Sequence, residues 1–308
     1  MKTILLTGAT GFLGSHLLEA LLLHNYDVII TKRTMSDTWR INHLLHKVNV
    51  YNTDVDSINK IFTNNSVDVI IHMATLYRKF DNGQEVKEMV ESNVSFPVEL
   101  LEAAVRHGVK GFINSGTFFE YDCSVLPVNE NAKLKPFNLY AKTKLSFETI
   151  LATYSDLLNI MTLRLFSPYG EKDNLKLIPM VIQKALSNER IELSDGLQKL
   201  DFIYAADITD AYIRALARMN EQHEANYKVY NIGSGACVSV REVVSIIEQQ
   251  LGKTIDKYWG MPSKVDIPIA FADIAQAETD LGWFPSHNIH DGIEKTIEFY
   301  KKGLSHVD

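Results

Sequence analysis

The sequence predicts an α/β fold, a doubly wound parallel sheet with helices on both faces and a smaller C-terminal lobe. Two observations carry that expectation. Short apolar runs alternate with amphipathic helical patterns through the first half of the 308-residue chain. A glycine-rich turn, "TGATGFLGSH" from Thr7 to His16, joins the first apolar run to the first helical one.

Taken in order, Ile4-Leu5-Leu6 reads as a short buried strand, and residues 15–23 as an apolar-faced helix. Gly8, Gly11 and Gly14 keep side chains out of the turn between them. Such a turn aims unpaired backbone N–H groups and the positive end of a helix at its occupant. An anion fits best, a pyrophosphate above all. Residues 27–31, 48–54, 67–75, 109–117 and 159–166 are the next candidate strands, with helical patterns between them such as residues 86–108. Ligands of a doubly wound sheet sit at the carboxyl ends of its strands. After Pro168 the alternation loosens. Residues 177–188, 239–252 and 289–303 read as helices separated by irregular segments, which places the smaller lobe there.

Composition narrows the classes of function. A hydrophobic content of 46% and a charged content of 22% describe an ordinary globular protein. The net charge of −7 argues against general nucleic-acid binding, while a locally positive pocket for a small anion stays possible. No apolar run approaches the roughly 20 residues of a membrane helix. The first residues form a strand with one lysine and lack the pattern of a secretory signal, so a cytoplasmic enzyme is expected. Cys123 and Cys237 are too few for a disulfide framework or a metal cluster, and no metal site is expected.

The end of the second strand bears on the dinucleotide. An acidic residue there would bind the ribose 2′-OH of NAD, whereas a basic one accommodates the 2′-phosphate of NADP. Lys32 and Arg33 occupy the position, which puts NADP(H) ahead of NAD(H). Asp54 and Val55, closing the third strand, are placed to hydrogen-bond and cover the adenine. The small Ala74 and Thr75 suit backbone approach to the cofactor.

Chemistry is suggested by "NLYAKTKLSFE", in which Tyr140 and Lys144 share one helix face. Free tyrosine, with a pKa near 10, is a poor acid and a poor base at neutral pH. An ammonium about 4 Å away, at an effective dielectric near 20, favours phenolate by roughly 4 kcal/mol. That is enough to move the tyrosine toward neutrality before desolvation takes some of it back. Such a tyrosine can exchange a proton with a carbonyl oxygen while hydride moves to its carbon. Ser115, at the carboxyl end of the fourth long strand, can donate to the same oxygen.

Together "TGATGFLG", "HMAT", Asn93, "INSGT", "YAKTK" and "LRLFSPYG" come in a recognisable order. The chain resembles the extended short-chain dehydrogenase/reductase family over essentially its whole length, with "DFIYAADITDAY", "VYNIGSG" and "ADIAQAETDLGWFP" as later matches. The resemblance implies a Rossmann domain over 1–166, with segments around 201–232 returning to it. It implies a substrate-binding lobe over 167–200 and 233–308. It also implies a catalytic set of Ser115, Tyr140 and Lys144. Cofactor contacts are implied for Gly8, Thr10, Gly11, Phe12, Leu13, Gly14, Lys32, Arg33, Asp54, Val55, Met73, Ala74, Thr75, Asn93 and Phe166, besides Tyr140 and Lys144. Substrate contacts are implied for Tyr77, Thr117, Phe118, Ser167 and Lys199. The implied partner is a nucleotide-diphosphate sugar, and the implied assembly a homodimer.

Within the family, 4,6-dehydratases carry Thr-Asp-Glu where this chain has Thr117-Phe118-Phe119, so water elimination lacks its acid and base. The 3,5-epimerase/reductases that make GDP-fucose use a Cys and a His that have no counterparts here. A 4-epimerase usually keeps the acid that Lys32 replaces. What remains is an NADPH-dependent 4-ketoreductase, with "HMAT", "INSGTFF" and "DFIYA" most like the CDP-abequose and CDP-paratose synthase group. Its reaction is reduction of CDP-4-keto-3,6-dideoxyglucose in deoxysugar and polysaccharide biosynthesis. A nucleotide-sugar 4-epimerase and a non-catalytic NADP-sensing protein are the alternatives. The chain departs from its relatives at Leu200, where many carry a phosphate-clamping arginine, and at Phe166-Ser167, where they carry Phe-Asn. Lys199 or Lys264 would have to substitute.

Overall fold

The computed structural model describes residues 2–77, 83–174, 176–221, 224–261 and 267–304. The first half runs β1 (Thr3–Thr7), α1 (Phe12–Leu23), β2 (Asp27–Lys32), β3 (Asn49–Asn52), α2 (Ile58–Asn64), β4 (Val69–His72), α3 (Gly83–Val90), α4 (Phe96–Arg106), β5 (Gly111–Thr117), α5 (Leu139–Ala152) and β6 (Asn159–Leu165). Then come β7 (Ser167–Tyr169), α6 (Leu177–Leu186), β8 (Ile191–Leu193), β9 (Lys199–Leu200), β10 (Phe202–Tyr204), α7 (Ala205–Glu221) and β11 (Asn226–Ile232). The chain closes with β12 (Val238–Ser239), α8 (Val240–Leu251), β13 (Lys257–Trp259), β14 (Ile269–Ala270), α9 (Ala275–Leu281) and α10 (Ile289–Leu304).

Seven strands form the central sheet in the order β11-β6-β5-β4-β1-β2-β3. From β3 to β6 every ladder is parallel, which is the doubly wound order expected. Register explains the core. Leu5 faces Ile29 and Ile70, Ile70 faces Phe112, and Phe112 faces Ile160, so one apolar row crosses five strands. Leu100 and Leu101 of α4 and Phe147 and Leu151 of α5 cover that row, and all are buried. Each such side chain withdrawn from water contributes about 1.5–3 kcal/mol.

Where element bounds differ from the sequence expectation, local chemistry decides. The first helix starts at Phe12 rather than residue 15, because Gly11 already serves as its N-cap. The third strand stops at Asn52, whose carbonyl turns back to accept Val55 N and Asp56 N. The fourth stops at His72, since Met73 N and Ala74 N both donate to Thr7 Oγ1. The expected long helix over 86–108 is divided by a π-helical segment, Glu91–Ser95. Pro97 lacks the N–H that would bond to the Asn93 carbonyl, so the regular ladder cannot run through.

The contacts divide the chain into two units. The first comprises Met1–Asp122, Ala132–Leu165 and Thr209–Tyr230. The second comprises Cys123–Asn131, Phe166–Ile208 and Asn231–Asp308. In the second, Ile178, Val181 and Ile182 of α6 pack with Val243, Val244 and Ile247 of α8 and with Ile293 and Ile297 of α10. Buried Asp201 accepts hydrogen bonds from Ser234 N and Oγ, Gly235 N and Ala272 N at 2.6–3.2 Å. Asp207 likewise gathers Ser286 N and Oγ and the His287 main chain and ring. The two aspartates of the "DFIYAAD" stretch are therefore loop anchors. Among the described residues no helix is long and apolar enough to cross a membrane, and no cluster is arranged to hold a metal ion.

Candidate active site

The glycine turn after β1 fits a dinucleotide. Gly8 has φ +74°, and a Cβ there would lie 2.6 Å from Ala74 N. A Cβ on Gly14 would lie 2.1 Å from Gly8 O. Turn, helix and β4 loop thus close on one another to a degree only glycine permits. No side chain caps α1, which leaves its first-turn amides for an anion. Thr10 and Leu13 are partly exposed, while Phe12 is buried, so its contribution to the turn is its backbone.

Thr7 fixes the neighbouring loop. Its Oγ1 accepts from Met73 N at 3.2 Å and Ala74 N at 3.1 Å, so its own hydrogen goes to His72 Nδ1 at 2.9 Å. The ring proton of His72 then sits on Nε2, buried against Phe147 and without a hydrogen-bond partner among the described residues. Burial, with the Lys144 charge second, holds this imidazole well below its ordinary range.

At the end of β2, Lys32 Nζ donates to the carbonyls of Arg33 and Thr34, both at 3.3 Å, and Arg33 is exposed. Asp54 departs from its expected role toward adenine. Its carboxylate accepts Thr34 N and Thr34 Oγ1, at 2.9 and 3.0 Å, and the Thr34 amide is the main reason it titrates below its usual range. Val55 stands 75% exposed. Asn93 is a second correction. Its Oδ1 accepts Leu76 N and Thr75 Oγ1, and its Nδ2 donates to Leu76 O and Thr143 Oγ1. Every polar capacity of the amide is spent inside the protein, so Asn93 clamps the loop that carries Thr75 instead of meeting a cofactor.

Tyr140 and Lys144 lie one turn apart on α5, with Asn138 Oδ1 capping the helix at Ala141 N. Tyr77 is half-exposed and packs edge-on against the Tyr140 ring at 5.0 Å. The expected descent of Tyr140 toward neutrality does not occur. The residue keeps partial exposure, but its hydroxyl is enclosed, and burial pushes it well above the usual tyrosine value. The Thr75 hydroxyl, whose own hydrogen goes to Asn93 Oδ1, accepts from it, and Glu120 and Tyr77 add to the rise. Lys144 is 2% exposed, and burial lowers it against the opposing pull of Glu120 and Glu148. Burial sets the direction, and Tyr140 is held as the proton-bearing form.

Ser115 is also corrected. Its Oγ donates to His72 O at 2.9 Å, so its single hydrogen is taken. Tyr212 OH, at 2.6 Å, must then be the donor in their contact. Thr117 stands two residues on, on the same face of β5. Among the described residues its Oγ1 only accepts, from Phe119 N at 3.4 Å. Phe118 is buried with its ring 4.3 Å from that of Phe119, which removes it as a surface for substrate. In the second unit Phe166 is 1% exposed and its N–H donates to Ile232 O, so its ring is not offered to a cofactor. Ser167 is paired with Phe202 in register, and Lys199 is exposed on β9. Lys264 lies outside the described residues.

Sequence reading missed Tyr212 and Glu120. Tyr212 falls within "DFIYAADITDAY", but nothing in that stretch announces a bond to a serine 97 positions away. Glu120 closes a capping box with Thr117, and both it and Glu148 lie against buried Arg164.

A parallel sheet in doubly wound order, a glycine turn on an uncapped helix and a buried Tyr–Lys helix face define a nicotinamide-dinucleotide protein of the short-chain dehydrogenase/reductase type. The chain belongs to the NAD dependent epimerase/dehydratase family, whose model matches residues 4–233. A protein of Methanocaldococcus jannaschii provisionally named a UDP-glucose 4-epimerase is 31% identical over 97% of this chain and 98% of its own. CDP-abequose synthase of Salmonella muenchen is 29% identical over 96% of this chain and 97% of its own. The crystal structure of UDP-glucuronic acid 4-epimerase from Bacillus cereus, in complex with UDP-glucuronic acid and NAD, superposes with a TM-score of 0.89. It shares 26% identity and covers 97% of this chain and 99% of that one.

Proposed function

We propose that this protein reduces the 4-keto group of a nucleotide-diphosphate deoxy sugar with NADPH, CDP-4-keto-3,6-dideoxyglucose being the best fit. The observation that carries the reading is the Tyr140–Lys144 face of α5, which sets a hydroxyl proton donor one helical turn from a buried lysine. A reductase needs an acid at the O4 oxygen, and a tyrosine hydroxyl supplies one. Lys32 and Arg33 in place of an acid at the end of β2, and the similarity to a CDP-abequose synthase, support the cofactor and the substrate.

The reduced nicotinamide, when bound, supplies hydride to C4. Tyr140 gives its hydroxyl proton to the oxygen that becomes negative. Thr117 Oγ1 is the second donor to that oxygen, the role that Ser115 cannot fill while it bonds to His72 O. Lys144 offsets the charge that Tyr140 acquires. The glycine turn and α1 hold the dinucleotide phosphates, and Ser167 and Lys199 are assigned to the sugar nucleotide. Cytoplasmic placement and homodimer formation are further parts of this reading.

A second reading has its own support: the UDP-sugar 4-epimerases among the relatives, with NAD in the structure cited. Mixing the protein with NADPH and a panel of nucleotide 4-keto sugars, and following nicotinamide absorbance, separates the two. Net NADPH oxidation with a CDP-4-keto sugar supports reduction. Interconversion of UDP-glucose at C4 with no net change in cofactor would replace it with epimerisation. Binding of NADPH with no turnover of any substrate would favour a sensor.

A further inference from the structure

Four ionisable groups behind the Tyr140 face of α5 are closed off from water: Glu120 is 0%, Lys144 2%, Glu148 3% and Arg164 4% exposed. Glu120 ends the turn after β5, Glu148 continues the Tyr140–Lys144 stripe of α5, and Arg164 stands on β6. Gly116 makes room for them, since a Cβ there would lie 2.6 Å from Glu148 Oε1 and 2.7 Å from Arg164 Cγ.

The hydrogens can be assigned one by one. Arg164 Nη2 donates to Glu148 Oε2 at 2.6 Å, and Nε to Glu148 Oε1 at 3.3 Å. Tyr227 OH adds a second donor to Glu148 Oε2 at 3.3 Å. Glu120 Oε1 accepts Thr117 N at 2.8 Å. Glu120 Oε2 receives no hydrogen bond from any described residue. Arg164 Nε lies 3.2 Å from it, but the single hydrogen there is directed at Glu148. Glu120 Oε2 and Glu148 Oε1 lie 3.2 and 3.3 Å from the same Arg164 Nε, so the two carboxyls are neighbours around one nitrogen. An ionised, fully buried oxygen without a donor is costly, and two neighbouring buried carboxylates repel when both are ionised. A proton on Glu120 Oε2 resolves both.

We infer that Glu120 is a neutral carboxylic acid sharing its proton with Glu148, and that it is a positioning residue which keeps the Lys144 charge available to Tyr140. With the proton in place, Lys144 and Arg164 face one carboxylate, and the cluster carries a net positive charge. With Glu120 ionised, the cluster is neutral and a negative charge opposes the phenolate of Tyr140. Burial and the Glu148 charge raise the Glu120 carboxyl well above the usual carboxylate range, in agreement with the geometry. The groups facing Glu120 are Glu148, Lys144 and Tyr140 from α5, Arg164 from β6, Tyr227 from β11, and the Thr117 amide beside it. The place of the proton is independent of the proposed reaction, while its use in proton transfer rests on that reading.

Both tests omit substrate, so their failure is distinct from failure of the proposed reaction. An infrared difference spectrum of wild type minus Glu120→Gln in D2O at neutral pH should show loss of the carbonyl band of a protonated acid. Loss of carboxylate bands instead overturns the inference. Should Glu120→Gln not fold, glutamate-labelled wild type examined by carbon NMR gives the same answer. One glutamate carboxyl should keep the chemical shift of the acid at neutral pH, and ionised shifts for all of them overturn the proposal. For the positioning role, phenolate absorbance is titrated in each background with and without Tyr140→Phe. Tyr140 should ionise at lower pH in Glu120→Gln than in wild type, because the opposing carboxylate never forms. An unchanged titration would show that Glu120 is only a structural cap.

Discussion

Replacing Gly14 by alanine tests the cofactor cradle more directly than any charge change. In a helix this substitution ordinarily stabilises by about 1 kcal/mol, because glycine loses the most backbone freedom on folding. Here the added methyl would lie 2.1 Å from Gly8 O, a backbone atom that also accepts Gly11 N at 3.0 Å. Relief requires the carbonyl or the helix to move by about 1 Å, which places the cost near the top of the usual 1–3 kcal/mol for overpacking. The net loss is about 2 kcal/mol, or a fall in Tm of about 4–8 °C for a domain of this size. The same movement shifts the turn that faces the phosphates, so dinucleotide affinity should fall at least about tenfold, equivalent to roughly 1.4 kcal/mol. Calorimetry and a fluorescence titration with NADPH measure the two effects. A Gly14→Ala protein as stable as wild type, with unchanged affinity, would refute the close approach and the cradle built on it.

Tyr140→Phe should leave NADPH affinity nearly intact and cut kcat by about two to four orders of magnitude, measured on the best keto sugar; near-normal turnover would remove Tyr140 from the acid role. Thr117→Val should lower kcat by about two to three orders, whereas Ser115→Ala should act mainly by lowering Tm through its lost bonds to His72 O and Tyr212. The reverse ranking would return the donor role to Ser115. Lys32→Ala/Arg33→Ala should weaken NADPH at least about tenfold more than NADH, with the difference shrinking at high salt, and equal losses would refute the 2′-phosphate assignment. Because the folded pKa of His72 lies well below its unfolded value, the unfolded chain binds the extra proton, and wild type should lose stability as pH falls below about 6.5. His72→Gln should flatten that dependence by up to about 1.4 kcal/mol per pH unit in denaturant titrations, and parallel curves would show that His72 is not the group responsible.

Much of the first unit was legible in the sequence because its signals are local and repeated. Ile4 to Leu6, Ile29 and Ile30, and Ile70 and Ile71 are runs too apolar to be anything but central strands. Gly8 and Gly14 announce a close approach through spacing alone. The second unit offered less, because β9, β12 and β14 are two residues long and a period of two cannot be seen in two residues. In the site, residue types were readable but their hydrogens were not. Ser115, Asn93 and Asp54 have the right chemistry at the right strand ends, yet each is committed to a protein partner that arrives from elsewhere in the chain. Tyr140 shows the same limit, since spacing revealed Lys144 one turn away but not the burial that raises the tyrosine.

Tyr212 belongs to the stretch Thr209–Tyr230, the last piece of the first unit, although most of that unit precedes residue 123. A ribosome making this chain releases domains N-terminal first, at about 5–20 residues per second. Strand β5, with the hydroxyls of Ser115 and Thr117, must therefore wait through the synthesis of about ninety-five further residues before Tyr212 emerges to donate to Ser115. The early chain would hold an uncovered sheet edge where β11 later adds to β6. No single cut in the gene frees either unit intact, because each is assembled from three separated stretches of the chain. A nascent chain stalled just before residue 209 should be protease-sensitive and should not retain a dinucleotide. One stalled far enough beyond residue 232 to clear the exit tunnel should resist digestion.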